Sequence, residues 1–211
     1  MASPEMAGVE AVLAKSRALG FLGPGAIGPQ VSHAAAFVEA AAEALPSSPA
    51  NVIDLGSGGG LPGLVLAVLW PETPLLLVDG SVRRCSFLEE AIVDLGVSDH
   101  VTVRCGRAED LGQEPQLRAS TDLVVARSFG APPVLAECAA GLLVAGGHLL
   151  VSEPPENIDD QRWPTAGLAM LGMGPVRRVV TSARFALIEQ VEPCPERFPR
   201  RVGIPAKRPL F

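Results

Sequence analysis

Asp54 stands on an apolar run, Val52-Ile-Asp-Leu55, directly ahead of Gly56, Ser57, Gly58, Gly59 and Gly60. The run predicts a buried strand, the glycines a turn, and residues 61–69 a helix with Pro62 in its first turn, where proline is tolerated. A strand that ends in glycines and feeds a helix lets a ligand lie against bare backbone N–H groups at the helix N-terminus. Gly58-x-Gly60-x-x-Gly63 also fits the dinucleotide fingerprint, a signal of low specificity by itself. The acid adds information, because a dinucleotide-binding strand is usually apolar at that place. A carboxylate there suits a ligand with a cationic or hydroxyl-rich part, such as S-adenosylmethionine (SAM). Asp54, Gly56, Ser57, Gly58, Gly60 and Leu61 are the candidate contacts of this first site.

Ligands of open parallel sheets bind beyond the carboxyl ends of the strands, at the switch point of strand order. Three further strand ends carry functional groups. Asp79 closes Leu75-Leu-Leu-Val-Asp79, 19 residues beyond Gly60, and is either an acceptor for ribose hydroxyls or a turn residue. Ala108 and Glu109 follow the run Val101–Cys105; backbone groups or the acid can hold an adenine edge there, or Glu109 and Asp110 simply open a helix. Arg127 follows Asp122–Ala126 and precedes Ser128 and Phe129. An arginine at the end of an apolar strand needs a buried partner, a phosphate or a carboxylate. Arg127 is therefore the candidate for both cofactor contact and the reactive end.

The elements that must position these groups alternate strand and helix. Ser81 is a candidate cap for a helix running to Leu95, with Cys85, Leu88, Ile92 and Leu95 at helical spacing and Gly96 as its stop. Pro133–Leu143 reads as a helix closed by Gly146 and Gly147, followed by a strand His148–Val151 and a Pro- and acid-rich loop over Glu153–Glu156. Strands recur about every 20 to 25 residues, which predicts a parallel sheet wound on both faces. Gly174–Thr181 and Arg184–Val191 are two further β-rich runs, close enough for a hairpin. A hairpin added to a doubly wound sheet fits a Rossmann-like, seven-stranded, class I SAM-dependent methyltransferase architecture. Residues 1–48 read as a helical segment packed on the core, with helices near 5–19 and 29–45, and residues 49–211 as the catalytic domain.

Bulk properties narrow the classes. The 211 residues suit one α/β domain, and 48% hydrophobic content argues against disorder. The net charge of −6 argues against broad nucleic-acid binding. Yet the basic tail, 197–211, carries Arg197, Arg200, Arg201, Lys207 and Arg208 with no acid, and suits either local phosphate contacts or simple solubilisation. The four cysteines and three histidines are scattered without metal-ligand spacing, so no metal is expected. No apolar run or leader pattern indicates a membrane, and the expected compartment is the cytoplasm.

Four segments together carry a family resemblance: Asp54–Gly63, Val78-Asp79 with Arg83-Arg84-x-x-Phe87-Leu88, Gly106–Glu109, and Ala126-Arg127-Ser128. With the closing segment Arg200–Leu210, the chain resembles the bacterial 16S rRNA guanine-N7 methyltransferase G family, also called glucose-inhibited division protein B. The resemblance implies a SAM-dependent enzyme of class I fold acting on 16S rRNA or the small ribosomal subunit. Two places depart from the family pattern. Ser32-His33-Ala34-Ala35-Ala36-Phe37 keeps only the histidine of an Arg-His pair followed by Asp-Ser, and Ser152-Glu153 stands where Lys-Gly is usual. A neutral Ser152 in place of that lysine is expected to remove an RNA or cofactor contact, and Glu153 beside it to repel phosphate.

Guanine N7 already has a lone pair, so its methylation needs alignment rather than a general base, and none is evident. Arg127 would donate to guanine O6 or a phosphate, and Phe129 would stack on a base. The departures keep an alternative open, a divergent paralogue acting on another RNA or a small molecule. A SAM-binding protein without turnover is a third. An NAD-dependent oxidoreductase is disfavoured, since the chain has no tyrosine.

Overall fold

The computed structural model describes residues 4–154 and 162–211. Two helices, α1 (Pro4–Ala18) and α2 (Ile27–Ala44), precede an alternating series: β1 (Val52–Leu55), α3 (Gly63–Leu69), β2 (Leu75–Asp79), α4 (Val82–Asp94), β3 (Val101–Cys105), α5 (Ala108–Leu111), β4 (Thr121–Ala126), α6 (Pro132–Ala140) and β5 (Leu143–Ser152). Then come α7 (Thr165–Ala169), the strands β6 (Arg177–Val180) and β7 (Arg184–Glu189), and a short α8 (Ile204–Lys207). The sheet runs β3-β2-β1-β4-β5-β7-β6. Strands β1 to β5 pair in parallel, and β7 enters antiparallel against β5, closing the predicted hairpin with β6. Strand order reverses between β1 and β4, which pair with Asp54 opposite Val125. The glycine turn and the Arg127 turn therefore leave the same edge of the switch point side by side.

Alternation along β1 decides which way Asp54 points. Ile53 and Leu55 enter the core with Leu135, Ala139 and Trp163 on one face. Val52 enters the opposite core with Phe37, Leu64 and Leu77. Asp54 shares Val52's face, beneath the start of α3. The N-terminal helices share cores with the sheet. Val9, Leu13 and Val31 pack with Leu61 and Val65, and Phe37 of α2 meets Phe185 of β7 edge-on at 4.7 Å.

Three local expectations need correction. The helix after the glycines begins at Gly63, with Pro62 as its cap residue, so Leu61 and Pro62 belong to the turn. Ser81 does precede α4, but its hydroxyl caps nothing; the Arg84 and Cys85 amides bond the Ser81 carbonyl, at 3.0 and 2.9 Å. Gly146 and Gly147 do not close a helix. α6 ends at Ala140, and β5 runs from Leu143 through both glycines, which form an irregularity where the pairing with β4 shifts register. Glycine suits that place, because a Cβ on Gly147 would lie 2.9 Å from the Thr121 carbonyl and 3.0 Å from that of Asp122. Of the loop expected over Glu153–Glu156, Pro155 and Glu156 lie outside the described residues.

Candidate functional site

Most amides of the glycine turn are engaged by the protein itself rather than left bare. Gly56 and Ser57 N–H both donate to the Val78 carbonyl, at 2.8 and 2.9 Å, and Gly60 N–H to the Ser57 carbonyl at 2.8 Å. Gly58 N–H donates to Asp79 Oδ2 at 2.9 Å, and Gly63 N–H to Asp54 Oδ2 at 3.0 Å. The Ser57 hydroxyl donates to the Asp54 carbonyl and accepts from Val78 N–H. Ser57 therefore ties β1 to β2 and has no hydroxyl left for a ligand's strongest contacts. In a dinucleotide fold a pyrophosphate sits at the helix N-terminus and takes these donors. Here the protein's own carboxylate occupies that end, which favours a cationic or neutral ligand over an anionic one.

The glycines contribute space. A Cβ on Gly63 would strike Leu77 and would lie 2.5 Å from Asp54 Oδ2. Gly63→Ala is therefore expected to destabilise the fold by roughly 1–3 kcal/mol through overpacking, read as a lower Tm in a thermal melt. At Gly56, with φ of 81°, a Cβ would lie 2.6 Å from the Phe129 ring. Phe129 thus covers the turn where sequence suggested an open cofactor approach.

Asp54 is fully buried, and Oδ1 of its carboxylate has no hydrogen-bond partner among the described residues. Burial pushes its pKa up from 3.8 to about 7, against the opposing pull of Ser57, of Gly63 N–H and of the Arg127 charge. Asp79 is also buried, but both of its oxygens are held. Oδ1 accepts from Ser81 N–H at 2.8 Å and Oδ2 from Gly58 N–H, with Arg84 Nη1 at 3.6 Å. Asp79 is thus both turn residue and cleft-lining acid, and its remaining lone pairs are available to a ligand.

Two clefts meet at Gly56. The first, about 350 Å³, is lined by Val78, Asp79, Gly106, Ala108, Glu109 and Phe129, and also by Ala206 of the C-terminal segment. Glu109 lies in the first turn of α5, as one sequence alternative had it. Its Oε1 accepts from Gly203 N–H at 3.0 Å, and Arg107 Nη2 lies 3.5 Å away. Burial opposes ionisation of Glu109, but the Gly203 amide, its own amide and Arg107 hold its carboxyl below the usual range. The second cleft, about 220 Å³, is lined by Phe21, Gln30, Gly58, Leu61, Arg84 and Arg127. Arg127 is half-buried, and Nη2 donates to Gln30 Oε1 at 3.3 Å. It bonds this neutral amide rather than an expected phosphate or carboxylate, with Asp54 acting on it at longer range. His33, one turn along α2, has an unpartnered buried Nε2, and burial followed by Arg127's charge lowers its pKa.

Sequence reasoning overlooked the contribution of the N-terminal segment. The Ser16 hydroxyl donates to the Gly59 carbonyl at 2.8 Å, and Arg83 stacks over Phe21 at 5.6 Å. Ser16, Phe21 and Gln30 carry no motif, so only the fold reveals them. Glu153 also differs from expectation. Its buried carboxylate accepts from Trp163 Nε1 at 2.8 Å and Arg162 Nε at 3.2 Å, with Arg178 Nη1 at 3.7 Å. A charge enclosed by two arginines does not repel an approaching phosphate. Glu153→Lys would set a third cation beside Arg162 and Arg178. It is expected to cost about 3–5 kcal/mol, the penalty for an uncompensated buried charge, measured as a shift in the urea midpoint.

Among the described residues no group of three metal-ligating side chains converges, and no helix is long and apolar enough to cross a membrane. The sheet order and the site at its β1/β4 switch point define the class I methyltransferase fold. A putative O-methyltransferase from Klebsiella pneumoniae matches it over 90% of each chain, with a TM-score of 0.57 at 15% identity. The O-methyltransferase TomG from Streptomyces achromogenes, in complex with SAM, matches 84% of this chain and 88% of its own, with a TM-score of 0.53 at 19% identity. At such identities the likeness is one of fold.

Sequence similarity is narrower. The family model for rRNA small subunit methyltransferase G matches residues 34–172. Proteins named ribosomal RNA small subunit methyltransferase G are similar across most of the chain. The Synechococcus protein is 36% identical over 77% of this chain and 71% of its own. The Deinococcus radiodurans protein is 40% identical over 76% and 66%, and that of Roseiflexus castenholzii 38% over 78% and 72%. The chain belongs to the rRNA small subunit methyltransferase G family.

Proposed function

We propose that this protein transfers the methyl group of SAM to a guanine N7 of 16S rRNA, working in the cytoplasm on the small ribosomal subunit. The observation that carries the SAM site is Asp54. Its buried carboxylate holds the start of α3, keeps one oxygen unpartnered, and stands behind a turn most of whose amides are already bonded. That electrostatic setting suits a donor with sulfonium and ammonium charges. Asp79 would accept the ribose hydroxyls, while Ala108 and the backbone around it would border the adenine in the first cleft. Gly56, Gly58, Gly60 and Leu61 would border the rest of the donor. Ser57 acts through the frame it ties together, and Glu109 through the C-terminal segment it holds.

Bound SAM supplies an electrophilic methyl group. The chain's own task is to hold N7 in line with it, a proximity effect worth roughly 7–11 kcal/mol. Arg127, positioned by Gln30 in the second cleft, donates to guanine O6 or a neighbouring phosphate, and Phe129 offers a stacking face between the clefts. The neutral lone pair of N7 makes a general base unnecessary. Incubation with tritiated SAM and small subunits lacking the modification tests the proposal. Label should enter the RNA at a rate that falls steeply with salt. No incorporation by protein that binds SAM would refute the substrate.

A further inference from the structure

The basic C-terminal segment is not a loose solubilising tail. Four side chains of the main body bond its backbone among the described residues, Gln113 Nε2 donating to the carbonyls of Glu196 and Pro199 at 3.2 and 2.8 Å. Arg118 donates to the carbonyls of Cys194, Pro195 and Phe198, at 2.9, 3.2 and 2.7 Å. Glu137, whose side chain is fully buried, accepts from Arg200 N–H at 2.8 Å and from both Nε and Nη2 of the same guanidinium, at 2.9 and 2.7 Å. Glu109 accepts from Gly203 N–H. Arg200 Nη2 also reaches the Arg208 carbonyl at 2.8 Å, folding the last turn back on the body. A buried carboxylate such as Glu137 is expensive without its partner, so undocking this segment strands a charge. Docked, the segment places Ala206 in the wall of the first cleft, the same cleft that Glu109 lines. Arg197 lies over the Phe198 ring at 5.0 Å, and the remaining cations, Arg201, Lys207 and Arg208, are exposed.

We infer that residues 194–211 form an RNA-contact arm coupled to the cofactor cleft: Glu109 positions the arm, and Arg201, Lys207 and Arg208 bind RNA phosphates beside the donor. The inference rests on the SAM assignment of the first cleft. A ligand there touches a wall that exists only in the docked state, so it favours that state by its differential affinity. The docked state in turn fixes where the three cations stand. The occupant is RNA because every charged side chain from Arg197 onward is cationic on a chain of net charge −6, and cations paired with phosphate gain from counterion release.

The test is limited trypsin digestion of the full chain with and without saturating S-adenosylhomocysteine, with binding followed by calorimetry and peptides by mass spectrometry. Cleavage after Arg201 and Lys207 should slow at least about fivefold with ligand, a modest coupling. Glu109→Ala should abolish that protection at saturating ligand, and Glu109→Gln, whose amide oxygen still accepts from Gly203 N–H, should restore it. The triple variant Arg201→Ala/Lys207→Ala/Arg208→Ala should bind an rRNA hairpin at least about tenfold more weakly, with a shallower salt dependence. Ligand binding without protection, protection that persists in Glu109→Ala, or unchanged RNA binding by the triple variant would each overturn the arm alone. Absence of ligand binding would overturn the SAM assignment and the arm with it.

Discussion

Asp54→Asn is expected to weaken SAM binding by roughly 10–100-fold, the worth of a lost charge-assisted interaction of about 1.5–3 kcal/mol, while leaving the fold intact. Asparagine keeps the size of the side chain and an oxygen to accept from Gly63 N–H, so only the charge is removed. The same group predicts two opposite pH dependences. Burial raises its pKa from 3.8 to about 7. Between those values the folded, ligand-free chain holds a proton that the unfolded chain has released. Its contribution to stability is therefore present at low pH and lost as pH rises through about 7. A cationic donor binds best to the ionised form, so SAM affinity should rise with pH by up to about tenfold per unit, levelling above about 7. Calorimetry from pH 5.5 to 8.5, about three units around the neutral range, should show this slope in the parent and a flat profile in Asp54→Asn. At alkaline pH the ligand-free variant should melt no lower than the parent, because it no longer buries a charge. A steep profile that survives in the variant would show that another group is responsible.

Arg127→Lys is expected to lower methyl transfer to RNA by about 10–100-fold, in line with the roughly 1–3 kcal/mol carried by a bidentate contact to guanine. The SAM dissociation constant should move only a few-fold. Lysine preserves the charge but loses the planar fork, which at a bidentate site is the larger loss. Half-buried and tied to Gln30 rather than to a carboxylate, Arg127 keeps donors for a substrate. Single-turnover assays at saturating SAM separate the effects. A slower chemical step with near-normal SAM binding is the predicted outcome, and equal loss of both would make Arg127 a cofactor ligand only. Gln30→Ala should give a smaller defect of the same kind, because it frees the guanidinium without removing it.

What was legible in the sequence was local. β1 and β2 follow from short apolar runs and β3 from alternation, and Asp54 and Asp79 are conspicuous because acids are unusual in such runs. The hairpin β6–β7 and the terminal position of Arg127 follow from the same patterning. Elements whose residues serve two purposes were misassigned. Gly146 and Gly147 could stop a helix or loosen a strand, and only the register shift against β4 shows which. Ser81 had the right type and place for a cap, but its own carbonyl takes the amides.

Partners distant in sequence were not readable at all. The bonds that fill the glycine turn come from Val78 and Asp79 across the sheet. Glu109 finds Gly203 from 94 positions away, and Gln30 reaches Arg127 from 97. Glu153 illustrates the same limit. Read alone it repels RNA, whereas in the fold it is enclosed by Trp163, Arg162 and Arg178. The repulsion expected of Glu153 therefore loses its force, while the lysine replaced by Ser152 and the changed residues around His33 still depart from the family pattern.

The central claim is that a guanine N7 of 16S rRNA receives the methyl group. Mass-spectrometric mapping of N7-methylguanine in 16S rRNA, from cells with and without this chain, tests it most directly. The account predicts one N7-methylguanine that disappears when the chain is removed, returns with the parent sequence, and does not return with Asp54→Asn or Arg127→Lys at comparable protein levels. An unchanged map in cells lacking the chain would contradict it.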